Sequence, residues 1–449
     1  MNTFRAGHVP GIDPEQINWL ELADAPCRGL WVPDLTPAQL RTVTTTVRDN
    51  AARHLRPLPV SAIIERIDRA IHRLLDPNDP ERQTLDHWLP RVCELDPDMV
   101  RLNLNRYLKT FRARGLHRFV AEDLPNPKVL DEFQPLPKGG WGRALGPRQL
   151  VHLWAGNVPA LPLWSLVCGL LVKAGNVGKL ASAEPVFASV LARVLTQIEP
   201  DWRDALAVVW WPGGDSEREA AACEQAERAI AYGSDDTLAA LRQRLPSGTH
   251  LLAHGHKISF GVVGRQALSA RHAPELAHLA AQDVARHDQG GCYSPHVFYV
   301  ERGGHVSPAE WAERLFHALQ NQHARHPRRS PTPEEAYTLA QWRQAHEWGQ
   351  GARLLCGDGG DVVLIERAGP LVPGPGLRDV QVVAVDELEQ VAACVAPARR
   401  WLQTAGLAVT PEQWPDLALA LGEAGVVKPM AVLLSKDASK LFVLMPMRL

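Results

Sequence analysis

The chain has 449 residues, with 48 Lys and Arg against 50 Asp and Glu, which gives a formal net charge of −2 at neutral pH. Hydrophobic residues make up 45% and charged residues 22%, values typical of globular proteins that exclude disordered and fibrous classes. No excess of charge is present to attract a nucleic acid or an acidic membrane, so neither is an expected partner. At about 150 residues per domain, the length predicts two or three domains.

Seven cysteines are spread along the chain, and no two of them form a C-x-x-C pair. Their number and spacing favour neither a disulfide scaffold nor a zinc site. No apolar stretch follows a basic start in the first residues, so the sequence predicts no signal peptide. The longest apolar run, 158–172, is shorter than the roughly 18 residues that a membrane-spanning helix needs. We therefore expect a reduced, cytoplasmic protein with no resident metal and no membrane span.

Residues 1–145 are predicted to form a mostly helical region that packs on the domain after it. Residues 146–252 alternate between strands and helices. The predicted strands are 150–154, 177–181, 205–211, 229–232 and 250–253, and the helices are 161–173, 186–198, 216–227 and 235–245. Strand–helix alternation at this spacing predicts a parallel sheet covered on both faces, the α/β architecture of a nucleotide-binding domain.

A second α/β region is predicted over residues 253–435. Its predicted strands are 258–263, 296–300, 362–366 and 380–385, and its helices include 274–286 and 386–403. Four capping boxes with proline at the first helical position mark further helix starts, at Thr36, Ser307, Thr332 and Thr410. The last residues, 436–449, contain an apolar strand candidate at 441–444.

Three known motifs are incomplete in this sequence: a P-loop, a dinucleotide-binding fingerprint and a histidine metal site. The segment 173–180 resembles a P-loop, but Lys173 and Leu180 replace the glycine and the magnesium-binding Ser or Thr that ATP hydrolysis needs. No G-x-G-x-x-G opens the nucleotide-binding region, so a nicotinamide cofactor there must be held by another arrangement. His254 and His256 lack a third ligand at suitable spacing, which favours polar loop residues over a metal site.

The segment 288–295 (DQGGCYSP) lies between a predicted helix and a predicted strand. Two glycines directly before Cys292 let the backbone or a ligand approach its sulfur closely. A free cysteine is more often buried and inert. The segment by itself therefore leaves a structural and a catalytic role open.

Five short motifs, taken in order, resemble the aldehyde dehydrogenase superfamily, and within it the LuxC-type fatty acyl-CoA reductases. The similarity is clear over residues 148–300 and looser elsewhere. The motifs are Ala155–Pro159 (AGNVP), Gly175–Pro185 (GNVGKLASAEP), Ala231–Ser234 (AYGS), Gly255–Lys257 (GHK) and Gln289–Cys292 (QGGC). The resemblance implies an aldehyde-dehydrogenase-like fold: a Rossmann-type cofactor domain at 146–252, a catalytic domain at 253–435, and a site in the crevice between them. It also implies that 436–449 is an oligomerisation tail, in a homodimer or homotetramer.

The resemblance also implies roles for individual residues. Cys292 corresponds to the nucleophile, and Asn157 to the amide that binds the developing oxyanion together with the backbone N–H of the cysteine. Lys179 corresponds to the lysine that contacts the adenosine ribose. Gly233 and Ser234 correspond to the pair before a helix whose N-terminus faces the pyrophosphate. Each has a plainer alternative: Asn157 as a turn residue, Lys179 as a solvated strand end, and Ser234 as a helix cap.

Two departures from the superfamily pattern predict the cofactor and the product of the reaction. Ser182 stands where NAD-preferring relatives place a ribose-binding glutamate, which removes repulsion toward a 2′-phosphate and predicts NADPH as the cofactor. Ala253 stands where aldehyde-oxidising relatives place the water-activating glutamate. An enzyme that releases an aldehyde rather than an acid does not need that base. A second ribose-binding glutamate stays unassigned, because Glu366 and the segment 374–376 compete for its position.

We therefore expect NADPH-dependent reduction of an acyl thioester to an aldehyde through an S-acyl intermediate on Cys292. The sequence leaves open whether the thiol donor is CoA, a carrier protein or an acyl-transferring partner protein. One alternative is a CoA-acylating aldehyde or semialdehyde dehydrogenase that works in the oxidative direction. Another is an inactive homologue that serves as a scaffold in a multienzyme complex.

Overall fold

A computed structural model describes residues 3–23, 25–347 and 351–431. These residues divide into two compact units, one up to Gly255 and one from His256 onward. Both units are α/β, as predicted. The strand candidate at 441–444 and the rest of the predicted oligomerisation tail lie outside the described residues.

The first unit begins with a small sheet and a group of helices. The strands are β1 (Phe4–Arg5), β2 (Asn18–Glu21) and β3 (Leu30–Asp34), and the helices are α1 (Pro37–Asn50), α2 (Val60–Leu75), α3 (Pro80–Cys93), α4 (Pro97–Thr110) and α5 (Ala113–Asp123). A two-stranded ribbon follows, β4 (Gln134–Pro135) and β5 (Trp141–Gly142). The region is mostly helical, as predicted. The small N-terminal sheet is an addition that the sequence did not indicate.

The strand–helix alternation predicted next is confirmed. The elements are β6 (Gln149–Leu153), α6 (Pro162–Leu171), β7 (Gly175–Lys179), α7 (Val186–Ile198), β8 (Leu206–Val209), α8 (Ser216–Cys223), β9 (Arg228–Tyr232), α9 (Asp235–Arg244) and β10 (His250–His254). The strands form one sheet in the order β10-β9-β6-β7-β8, and every pair is parallel. Helices α6 and α7 contribute to the core on one face, with α2–α5 behind them, while α1, α8 and α9 contribute to the core on the other.

The second unit contains a seven-stranded sheet. Its strands are β11 (Ile258–Val263), β12 (Pro295–Glu301), β13 (Ala352–Leu355), β14 (Val362–Ile365), β15 (Val380–Val385), β16 (Leu402–Ala408) and β17 (Lys428–Ala431). Their order is β13-β14-β15-β12-β11-β16-β17, and only the β13–β14 pair is antiparallel. The helices are α10 (Ala273–Ala285), α11 (Pro308–Arg325), α12 (Pro333–Glu347), α13 (Gln390–Val395) and α14 (Trp414–Glu423).

One predicted helix of this unit has different bounds in the structure, and the strand after it was not predicted. The helix expected over 386–403 is only α13, which continues as a 3₁₀ turn to Trp401 and gives way to strand β16. Most of β16 is buried within the sheet, so its sequence lacks the alternation of apolar and polar residues that marks a half-exposed strand. In the part of the chain that the structure describes, no helix is both long enough and apolar enough to cross a bilayer.

Candidate active site

Four predicted site residues lie at the carboxyl edge of the first unit's parallel sheet. Asn157 follows β6, Lys179 ends β7, and Gly233 and Ser234 follow β9. Strand β6 has β7 on one side and β9 on the other, so the strand order reverses at β6. Open α/β sheets bind nucleotide ligands at such a switch point. The local architecture therefore fits a dinucleotide at this edge.

The loop that carries Asn157 is closely packed against the next turn of the chain. Asn157 is exposed, whereas Ala160, three residues later, is buried with a φ of +64°. A Cβ on Gly156 would lie 2.7 Å from the Cβ of Ala183 and 2.9 Å from the backbone N of Glu184. Only glycine fits at that distance, so the 155–160 loop rests directly on the 181–184 turn.

Glu184 in that turn is a residue that the sequence analysis missed. One of its carboxylate oxygens accepts hydrogen bonds from the backbone N–H groups of Val186 and Phe187, both at 2.8 Å, and so caps α7. Burial raises the pKa of Glu184 to about 7, against the effect of these N–H groups and that of Ala160. The Glu-Pro pair before a predicted helix was the available signal for this capping role.

Lys179 and Ser182 follow one another along the same edge. The Lys179 ammonium lies 5.7 Å from the ring centroid of Trp211. Burial lowers the pKa of Lys179, and the charge of Glu219 opposes this. Ser182 is exposed, and its Oγ accepts a hydrogen bond of 3.0 Å from Nε1 of Trp210.

The carboxylate that acts on Lys179 is itself paired. Arg244 binds Glu219 with an N–O distance of 2.9 Å. The edge thus offers a cation, an aromatic ring and a hydroxyl, with the charge of the nearby carboxylate balanced. This donor set fits the adenosine ribose of a dinucleotide and leaves position 182 without a negative charge.

The N-terminus of α9 is capped by the chain itself. The Ser234 Oγ accepts a hydrogen bond of 3.2 Å from the Thr237 N–H, and the N–H of Gly233 donates to the carbonyl of His254 at 3.3 Å. Asp235 fills the first helical turn together with Asp236. Their charges favour the helix dipole and oppose a phosphate. The structure gives Ser234 the capping role, and its contact with a pyrophosphate stays a prediction.

The second unit places Cys292 in a loop at the amino edge of its sheet, three residues before β12. The loop begins with three consecutive residues in the left-handed region. His287, Asp288 and Gln289 have φ values of 51°, 49° and 67°. For non-glycine residues this conformation costs about 1 kcal/mol or more each. The surrounding contacts must therefore hold the loop in place.

Buried side chains supply those contacts. Arg378 donates from Nε and from a terminal nitrogen to one carboxylate oxygen of Asp288, at 2.7 and 2.6 Å, and both side chains are buried. Gln289 donates from Nε2 to the carbonyls of Pro295 and Asp379, at 2.8 and 3.1 Å. Its Oε1 accepts from the backbone N–H of Arg378 at 2.9 Å. The segment 377–379 thus clamps the start of the Cys292 loop.

Two of the seven free cysteines are exposed, Cys292 and Cys356. Partial burial raises the pKa of the Cys292 thiol, while its own backbone N–H and the charge of Lys257 act to lower it. The pKa of Cys356 is also raised by burial, and there the charges of Asp361 and Glu347 raise it further. Arg343 acts to lower the pKa of Cys356, so the charges around that thiol are mixed, whereas the charge that acts on Cys292 is that of a cation.

The two candidates for a ribose-binding glutamate lie at opposite edges of the second sheet. Glu366 follows β14 and pairs with Arg302 at 2.9 Å, at the carboxyl edge and away from Cys292. The segment 374–376 leads into the 377–379 clamp at the amino edge, but it contains no acid. We therefore assign neither candidate as the second ribose-binding residue. Ala253 lies in β10 of the first unit and is half-buried.

Comparison with known proteins identifies the family. A model of the acyl-CoA reductase (LuxC) family matches residues 55–432. The chain belongs to this family. The match extends across both units, well beyond the 148–300 segment that carries the sequence motifs.

Similar proteins bear names consistent with the LuxC family. The chain is 26% identical over 188 residues to a long-chain acyl-protein thioester reductase of Photorhabdus laumondii, covering 41% of this chain and 38% of that protein. It is 26% identical over 208 residues to the corresponding protein of Vibrio harveyi, covering 45% and 42%. The chain thus spans less than half the length of these curated relatives.

Solved structures show that this LuxC-family chain has the aldehyde dehydrogenase fold. Lactaldehyde dehydrogenase from Escherichia coli superposes with a TM-score of 0.70 at 14% identity, covering 95% of this chain and 90% of that chain. A benzaldehyde dehydrogenase from Corynebacterium glutamicum gives a TM-score of 0.71 at 14% identity, covering 95% and 92%. A reductase family with this fold implies a nicotinamide cofactor.

Proposed function

We propose that this protein reduces an acyl thioester to the aldehyde through an S-acyl intermediate on Cys292. The observation that carries the proposal is the Cys292 loop. Its thiol is exposed, a cation acts on it, and buried side chains brace the backbone before it. The acyl-CoA reductase family and the relatives named acyl-protein thioester reductases support the same substrate class.

The chain's own groups carry the proposed covalent steps. The Cys292 thiolate attacks the thioester carbonyl, the tetrahedral adduct expels the donor thiolate, and that thiolate takes up a proton. We assign Asn157 and the Cys292 N–H to the oxyanion, as the resemblance implies. The nicotinamide cofactor, when bound, supplies the hydride that reduces the S-acyl group. Collapse of the resulting thiohemiacetal releases the aldehyde and restores the thiolate.

We propose NADPH as the physiological form of the cofactor. Support comes from Ser182, whose hydroxyl stands where a carboxylate would repel a 2′-phosphate, and from the Lys179 cation at the same edge. Comparing kcat/KM for NADPH and NADH tests this assignment. A preference for NADH would contradict it.

We also propose that the enzyme works toward the aldehyde. Ala253 stands where aldehyde-oxidising relatives place the water-activating base, and its side chain cannot activate water to hydrolyse the S-acyl intermediate. The expected product from an acyl thioester with reduced cofactor is aldehyde, with little free acid. Free acid as the main product would contradict this direction.

The catalytic assignment is tested with two cysteine variants. Cys292→Ala is expected to lose aldehyde formation from acyl-CoA by at least about a thousandfold, because the nucleophile is gone. Cys356→Ala removes the other exposed thiol and is the matched control, expected to stay within about twofold. Equal activity of both variants would contradict the role of Cys292.

Proposals on assembly and location follow from the resemblance and from the free cysteines. From the resemblance we propose a homodimer or homotetramer, and deletion of 441–449 is expected to yield monomers or aggregates by light scattering. An unchanged oligomer would contradict this. All seven cysteines are free, which supports a reducing compartment such as the cytoplasm.

A further inference from the structure

The strand next to the Cys292 loop is irregular on both sides. Pairing between β11 and β12 steps from Ser259–Pro295 to Phe260–Val297, so His296 is an extra residue of β12. Pairing between β11 and β16 shows a second shift near the same place. Bulges interrupt a ladder and re-aim side chains, and they are common next to active sites. Ser259 is the residue of β11 at this interruption.

At these bulges, the Ser259 hydroxyl bonds to two backbone groups. It donates a hydrogen bond of 2.7 Å to the backbone carbonyl of Cys292. It also accepts a hydrogen bond of 3.2 Å from the backbone N–H of Thr404 in β16. Ser259 is buried, so no bulk water competes for either bond. One hydroxyl of β11 thus links the carbonyl of Cys292 to the backbone of β16.

The backbone after Gly290 and Gly291 needs a contact that fixes the orientation of Cys292. Gln289 fixes the chain before the two glycines. Within the loop, the Gly290 N–H donates to the His287 carbonyl at 2.9 Å and the Gly291 carbonyl accepts from the Ser294 N–H at 3.0 Å, but both bonds stay inside the loop. Rotation at the glycines would turn both the Sγ and the N–H of Cys292. The Ser259 bond ties the Cys292 backbone to strand β11.

We propose that Ser259 is a positioning residue for the nucleophile. By holding the Cys292 carbonyl, its hydroxyl fixes the peptide that follows the Cys292 Cα, and so limits the backbone rotation that would turn the Sγ and the N–H of Cys292 away from the oxyanion that forms when Sγ attacks a carbonyl. The inference rests on the proposed function for the identity of the nucleophile. A small misalignment of such a donor costs one to two orders of magnitude in rate.

Two reactions of Cys292 separate positioning from general damage to the loop. Acylation by p-nitrophenyl acetate proceeds through an oxyanion and expels p-nitrophenolate. Alkylation by iodoacetamide forms the S–C bond with loss of iodide and involves no oxyanion. Both are followed by mass spectrometry of the Cys292 peptide in the full-length protein, without cofactor.

Ser259→Ala is expected to slow acylation by about tenfold or more and to leave alkylation within about twofold. Ser259→Thr keeps a hydroxyl and is expected to recover most of the acylation rate. Ser294→Ala is the matched control, because it removes a buried hydroxyl of the same loop whose hydrogen bond goes to Arg286 instead, at 3.4 Å. Both of its rates are expected to stay within about twofold of the wild type.

Three results would contradict the inference: unchanged acylation in Ser259→Ala, an equal loss of acylation and alkylation, or no recovery in Ser259→Thr. Failure of the proposed function looks different. There, the wild-type protein would be acylated at Cys292 faster than Ser259→Ala but would reduce no acyl thioester.

Discussion

The two sheet edges that carry the site residues are built in different ways. At the carboxyl edge of the first sheet, Lys179 ends a strand, and Ser234 caps a helix through a contact three residues away. At the amino edge of the second sheet, the Cys292 loop is strained and is held by Arg378, about ninety residues further along the chain. Local interactions set these two features of the first edge, where Ser182 and Gly233 also bond to Trp210 and His254. The second depends on tertiary structure, and its residues should be far more sensitive to substitution.

The largest expected effect is loss of the Arg378–Asp288 pair. Arg378→Met leaves the Asp288 carboxylate buried without its guanidinium, which is expected to cost about 3 to 5 kcal/mol of unfolding free energy. Arg302→Met breaks the half-exposed pair with Glu366 in the same unit and is expected to cost less than about 1 kcal/mol. Denaturant unfolding of both variants measures the difference. Equal costs would contradict the distinction between the strained loop and its surroundings.

The next effect concerns the pH dependence of stability, for which one buried carboxyl is taken from each unit. Burial raises the pKa of Glu184 and of Asp379 to about 7, well above the values for unfolded chains. Each of these two carboxyls therefore binds more protons in the native than in the unfolded state between about pH 4 and 7, and its contribution to stability is lost as the pH rises through this window. The buried His152, His287 and His296, whose pKa values burial lowers, act in the opposite direction below about pH 6.5. Each group contributes on the order of 3 kcal/mol to this loss.

Isosteric variants test that slope. Glu184→Gln and Asp379→Asn are each expected to gain melting temperature relative to the wild type as the pH rises from 4.5 to 8. They leave hydrogen-bond geometry nearly unchanged, so their effect at low pH should be small. A variant with the full wild-type slope would show that its carboxyl is ionised throughout the range.

Substitutions of Gln289 and Ser234 compare how much one side chain at each edge contributes to stability. Gln289→Ala removes three hydrogen bonds that hold the strained loop and is expected to cost about 3 kcal/mol. Ser234→Ala removes one helix cap and is expected to cost about 1 kcal/mol. Thermal unfolding of the two variants gives the ratio of the two losses in unfolding free energy. A larger loss for Ser234→Ala would reverse the comparison.

The smallest effect is on cofactor choice. Ser182→Glu places a carboxylate near the proposed 2′-phosphate and is expected to lower the NADPH to NADH ratio of kcat/KM by about tenfold, or about 1.4 kcal/mol. Ala183→Glu adds the same charge at the next exposed position and is the control, expected to change the ratio less. If both variants change it equally, Ser182 does not face the 2′ position.

These contrasts explain what the sequence could predict. Strands such as Ile258–Val263 and the helix Val186–Ile198 were predicted with the bounds that the structure has, because the signals are local. Strand β16 was not predicted, since a strand buried inside a sheet has no period of two. The motif around Cys292 was visible, but the roles of Gln289 and Arg378 depend on tertiary contacts. The contact of Ser259 depends on a register shift that no local pattern encodes.

The most direct test of the proposed reaction follows the acyl group in a single turnover. The protein is incubated with a radiolabelled long-chain acyl-CoA without cofactor, and the labelled peptide is then identified. We predict label on Cys292, no label in Cys292→Ala, and release of the label as aldehyde when NADPH is added. Label that persists in Cys292→Ala, or that leaves as free acid, would contradict the proposed mechanism.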